Sequence, residues 1–76
     1  MSKQTTLAIT WNANDSGRLW TREWYVTEGA SYGARLIAPG VYAPDSIFES
    51  EEAFWIEFEK DRQQFFGRRL DESEQH

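Results

Sequence analysis

The run Ser50-Glu51-Glu52-Ala53-Phe54-Trp55-Ile56-Glu57-Phe58-Glu59-Lys60-Asp61-Arg62-Gln63-Gln64-Phe65-Phe66-Gly67-Arg68-Arg69-Leu70 decides the fold. It holds no proline and one glycine. Phe54, Trp55, Phe58, Phe65 and Phe66 fall on one side of a 3.6-residue period, with Arg62 in the gap of the stripe. That spacing predicts one long helix over about residues 50–70. Two starts fit. Ser46-Ile47-Phe48-Glu49 has the Ser-x-x-Glu spacing of a capping box. Ser50 followed by Glu51-Glu52 is an N-cap with acids in the first turn, where they complement the helix dipole. Ser50 is the better start, because Ile47 and Phe48 then staple the helix from outside. Gly67 marks fraying, and residues 71–76 read as a loose polar tail.

Upstream the period changes from 3.6 to 2. Leu7, Ile9 and Trp11 alternate with small or polar residues, as in a half-buried strand. Asn12 to Gly17 is a cluster of turn formers. Leu19 to Thr27 is rich in aromatic and β-branched residues and predicts a second strand. Glu28 to Ser31 breaks it, and residues 32–38 predict a third strand around Leu36 and Ile37. Pro39-Gly40 is a turn signal, with Val41-Tyr42 a short extended piece before Pro44. The expected fold is therefore α+β: a small three-stranded antiparallel sheet over about residues 5–42, then one long C-terminal helix packed on one face. The whole chain, 1–76, reads as a single domain.

Length and residue usage restrict the chemistry. A 76-residue chain supports one thin core, which leaves little room for a buried active site with its own supporting shell. With no cysteine, disulfide frameworks, zinc knuckles and thiol nucleophiles are excluded. The one histidine is His76, at the end of the chain. Gly29-Ala30-Ser31-Tyr32-Gly33 lacks the Lys-Ser/Thr of a phosphate loop, and no EF-hand spacing occurs. Carboxylate pairs such as Glu57/Asp61 and Glu49/Glu52 come with no sign of a cleft to perturb them. The expectation is a non-enzyme with no catalytic residues, metal or cofactor.

Residues 1–6 carry no apolar segment of the signal-peptide kind, and the longest apolar run is only Ala53-Phe54-Trp55-Ile56. Both point to a cytoplasmic protein, bacterial or viral, and in the host cytoplasm if viral.

Net charge is -5, and it is unevenly placed. Residues 1–44 have four basic side chains against three acidic, whereas residues 45–76 have ten acidic against four basic. The acids crowd Asp45 to Asp61. Part of this suits the helix dipole, and Glu57/Lys60 and Glu59/Arg62 are ordinary i,i+3 pairs. Glu57 and Asp61, however, are like charges at i,i+4, which works against a helix. Glu49, Glu51, Glu52, Glu57, Glu59 and Asp61 together would make a negative field suited to a basic groove.

The other candidate surface is Trp20-Thr21-Arg22-Glu23-Trp24-Tyr25. On a strand, Trp20, Arg22, Trp24 and Val26 share one face, and Leu19, Thr21, Glu23 and Tyr25 the other. If the helix covers the second face, an exposed Trp-Arg-Trp ladder results, of the kind found at binding hot spots. If it covers the first, the ladder packs beneath it and the guanidinium snorkels to the edge. Aromatics interleaved with Arg18, Arg22 and Arg35 also suit base stacking, but the acidic net charge disfavours direct nucleic-acid binding. Ile56 lies about 160° around the helix from Phe58, where it could seed a partner contact or a homodimer seam.

In size, acidity, lack of cysteine and small sheet-plus-helix architecture, the chain resembles the inhibitors that phages and mobile elements encode, the anti-CRISPR proteins among them. The resemblance covers the whole chain but rests on no motif and transfers no residues. It implies a non-catalytic protein that binds a host nucleic-acid-handling complex, for example a CRISPR effector, and blocks its nucleic-acid site. The expected partner is a protein with a basic surface, met by Trp20, Arg22, Trp24, Tyr25, Glu49, Glu52, Glu57, Glu59 and Asp61. Alternatives are a small nucleic-acid-binding regulator using the Trp/Arg sheet face, and an immunity protein or antitoxin neutralising a basic toxin.

Overall fold

The alternating N-terminal residues form a long hairpin: β1 (Gln4–Ala13) pairs antiparallel with β2 (Leu19–Thr27), and β2 with β3 (Ser31–Ile37). β4 (Ser46–Phe48) adds beyond β3, the helix α1 (Glu51–Gln64) follows, and β5 (Phe66–Arg69) returns to pair with β1. The result is one five-stranded antiparallel sheet in the order β4-β3-β2-β1-β5, with α1 crossing one face from edge to edge. This computed structural model describes residues 3–13, 17–28 and 31–70. The predicted tail at 71–76 lies outside the described residues, as do the centres of the turns predicted at 12–17 and 28–31.

Two expectations are corrected. The sheet has five strands rather than three, and the helix ends at Gln64 instead of running to about residue 70. The start at Ser50 holds: its side chain accepts a hydrogen bond from the Ala53 N–H at 3.1 Å. The end differs because Phe65 turns extended (φ -130°, ψ -178°), with its N–H still donating to the Asp61 carbonyl. Phe66–Arg69 then satisfies the backbone of β1 from Ala8 to Trp11, which would otherwise be an open edge. Gly67 is what lets β5 close. A Cβ there would stand 2.5 Å from Thr10 Cγ2 and 3.2 Å from the Ile9 carbonyl oxygen.

The buried face also differs from the simple alternation at Leu7, Ile9 and Trp11. The β1–β2 register shifts between Thr6 and Ala8, so Leu7 packs against the core while Ile9 and Trp11 turn to the opposite face. Ala8 and Thr10 instead sit under the helix, both fully buried. Ala8, Trp24 and Ala34 form one row across the three central strands. The two alanines leave space for the indole and for the helix above it. Phe54 and Phe58 descend onto Trp24 edge-on, with ring centroids 5.6 and 5.7 Å away. Phe48 stacks on Trp24 at 5.9 Å, and Tyr32 and Trp55 close the sides against Phe54. Such ring pairs contribute about 0.5–1.5 kcal/mol each beyond their buried area. The Trp24 indole N–H donates to Thr10 Oγ1 at 2.9 Å, so these two buried polar side chains satisfy each other.

Candidate functional site

The helix covers the face that carries the tryptophan ladder. Trp24 is buried beneath Phe54 and Phe58 and is therefore unavailable to a partner. Arg22 reaches the helix while its side chain stays 41% exposed: its Nη1 lies 3.1 Å from Asp61 Oδ1, and its guanidinium lies 5.8 Å from the Trp24 ring centroid. Trp20 sits past the end of the helix and remains 39% exposed. The three ladder residues thus separate into a core ring, a strut to the helix and one open indole. The base-stacking platform that the alternative reading requires is not assembled from them.

The acidic set divides in a similar way. Glu49, Glu52, Glu57 and Glu59 are all exposed, the last three on α1 and Glu49 just before it. Glu57 meets Lys60 at 3.4 Å and Glu59 meets Arg62 at 3.5 Å, as their spacing predicts. Glu51 accepts a hydrogen bond from the Trp55 indole at 3.3 Å. Asp61 faces the sheet, only 13% exposed, where Arg22 offsets its repulsion with Glu57. Asp61 therefore leaves the outer acidic surface, and Glu49 and Glu52 lead it. Ile56 lies exposed among these carboxylates.

Among the described residues, no second layer covers the sheet face opposite the helix. Its apolar part is a row running Phe66, Trp11, Thr21, Ile37 across four strands, with Leu19 beside it. Phe66 is 69% exposed and stacks on Trp11 at 6.1 Å. The rest of this face holds Ile9 and the exposed Ile47 beside a tightly paired polar network. Tyr25 Oη donates to Asp45 Oδ2 at 2.6 Å, and Arg35 lies against Asp45 at 3.3 Å, Glu23 at 3.2 Å and the Tyr25 ring at 4.9 Å. Thr6 donates to Glu23, and Arg35 also donates to Gln4. Gly33 makes this network feasible, since a Cβ there would stand 2.7 Å from the Tyr25 oxygen. Burial first, and then the Asp45 carboxylate, hold the Tyr25 phenol above its ordinary range. Tyr25 is therefore a clamp between the sheet and the segment before β4, not an exposed anchor.

Sequence reasoning missed the open row because its members come from four separate strands. Only the register brings Phe66 beside Trp11. A cavity at the end of α1 was equally hidden, since it exists only where the helix stops short. Among the described residues, no three His, Cys, Asp or Glu side chains converge to hold a metal ion, and no helix is long and apolar enough to cross a membrane. Comparison with protein-family models, curated proteins and solved structures finds no match. Function must be read from the chain's own chemistry.

Proposed function

We propose that this protein is a non-catalytic inhibitor that acts by binding, and that its partner is the basic surface of a nucleic-acid-handling complex, a CRISPR effector being one example. The observation that carries this reading is the outer surface of α1. Two fully buried phenylalanines lash the helix to the sheet, so Glu49, Glu52, Glu57 and Glu59 are presented from a rigid support. A fixed set of carboxylates spends little entropy on docking, and its field steers a lysine- or arginine-rich groove toward it. Occupying such a groove with carboxylates excludes the phosphates that it otherwise binds. The contribution falls mainly on the association rate and weakens as salt shortens the Debye length, which is about 10 Å at 0.1 M.

The test compares the protein with a Glu49→Lys/Glu52→Lys/Glu59→Lys variant as bait in a host lysate at low and high salt. The expected result is capture of a nucleic-acid-handling complex by the wild type at low salt, at least tenfold weaker capture at high salt, and none by the variant. Equal capture by both baits would remove the electrostatic basis. A gel shift with single-stranded oligonucleotides at low salt tests the regulator alternative, for which a shift is required.

A further inference from the structure

We propose that the cavity at the C-terminal end of α1 binds a single phenolic ring, the tyrosine side chain of a protein partner. The cavity arises from the length of the helix. The helix stops at Gln64 and Phe65 turns away, while the sheet continues beneath through the rows Thr10–Arg22–Leu36 and Asn12–Trp20. Among the described residues, what remains uncovered is a space of about 150 Å³. A cavity of about that volume accepts one benzene ring.

The lining specifies the ring further. Trp20, Phe65 and Leu36 give it apolar walls, and Trp20 and Phe65 are themselves partly exposed. Aromatic walls favour an aromatic guest, which can meet them edge-to-face or offset-stacked. One polar edge interrupts them: Arg22 Nη1 and Asp61 Oδ1, 3.1 Å apart, with Asn12 also on the lining. A guanidinium has five donors and a carboxylate about four acceptor positions, so their one mutual bond leaves capacity for a hydroxyl. The phenol O–H can donate to Asp61 or accept from Arg22. An aliphatic side chain would bury that edge without using it. A purine is larger than one ring and brings a phosphate to a chain of net charge -5, where the one cation among the described lining residues, Arg22, is already paired.

This deepens the protein-binding reading by naming what the partner inserts, and it rests on that reading only for the source of the ring. Its test needs no partner. The full chain, labelled with ¹⁵N, is titrated with p-cresol and separately with toluene and guanosine monophosphate, following indole and amide resonances. The expected result is saturable shifts confined to Trp20, Asn12 and their neighbours, with p-cresol binding on the order of millimolar and at least threefold tighter than toluene. Asn12→Trp fills the opening from the exposed β1 position paired with Trp20 and should weaken p-cresol at least fivefold. Trp20→Ala removes a partly exposed wall and provides the same readout should the first variant fold poorly. The proposal is overturned by the absence of saturable shifts, by equal binding of toluene, by shifts unchanged in the folded variants, or by tighter binding of guanosine monophosphate. Loss of the cavity result with salt-sensitive capture intact would leave the acidic-helix reading standing, and the reverse outcome would spare the cavity.

Discussion

At the scale of single residues, two positions hold more than their size suggests. Gly67 faces Thr10 so closely that an added methyl would stand 2.5 Å from its Cγ2. Thr10 cannot swing away, because its Oγ1 holds the buried Trp24 indole. Gly67→Ala should therefore cost about 1–3 kcal/mol, as overpacking does, read as a lower urea midpoint. An unchanged midpoint would mean that β5 can peel back at no cost. Tyr25 is the second position. Replacing it with phenylalanine removes the hydrogen bond to Asp45 and should cost about 1 kcal/mol at neutral pH. The pH dependence has a definite sign. A phenol whose pKa is raised by folding contributes stability that is complete below its unfolded value of about 10 and is lost as pH rises through the folded value. Thermal scans should show the wild type losing its advantage over Tyr25→Phe above about pH 10. A constant difference up to pH 11.5 would contradict that assignment.

Among the elements, strength decreases from the sheet's centre to its edges. β1, β2 and β3 are ten, nine and seven residues long, whereas β4 has three and β5 four. Short edge strands resist adding further chains, but they also open easily. Hydrogen exchange should be at least tenfold slower for amides shared by β1 and β2 than for those that β5 gives to β1, and equal rates would contradict this ranking. The same contrast explains what was legible in advance. β1 and β2 announce themselves, because aromatic and β-branched residues recur with period 2 on both sides of a turn-forming cluster. The Ser50 cap is equally clear, since its chemistry is local. β5 is not legible: Phe66-Gly67-Arg68-Arg69 has no alternating apolar residues, and Phe65 and Phe66 extend the helical stripe by coincidence of spacing. Only the open edge of β1 turns these residues into a strand. The site followed the same pattern. The i,i+3 ion pairs on α1 came from spacing alone, whereas the fates of Trp24, Arg22 and Asp61 depended on which face the helix would choose.

For the molecule as a whole, the important asymmetry is between its two outer surfaces. The outside of α1 is acidic, while the face on the other side of the sheet carries Phe66, Trp11, Leu19 and Ile37 with no covering layer among the described residues. At pH 7 the net charge of -5 keeps copies of the protein apart, and that repulsion limits contact between open faces. As pH falls toward the isoelectric point near 4.7, the repulsion fades while the apolar row is unchanged. Light scattering at fixed concentration should therefore rise sharply between pH 6 and about 4.7. Phe66→Ser separates the two causes, since it leaves the charge intact and removes the most exposed ring of the row. Phe66 lies on the solvent side of an edge strand, so the substitution should cost well under 1 kcal/mol of folding stability. The variant should scatter several-fold less at pH 4.7 and no differently at pH 7. If both proteins scattered alike throughout, association at the isoelectric point would be a matter of charge alone, and the uncovered sheet face would have no adhesive character of its own.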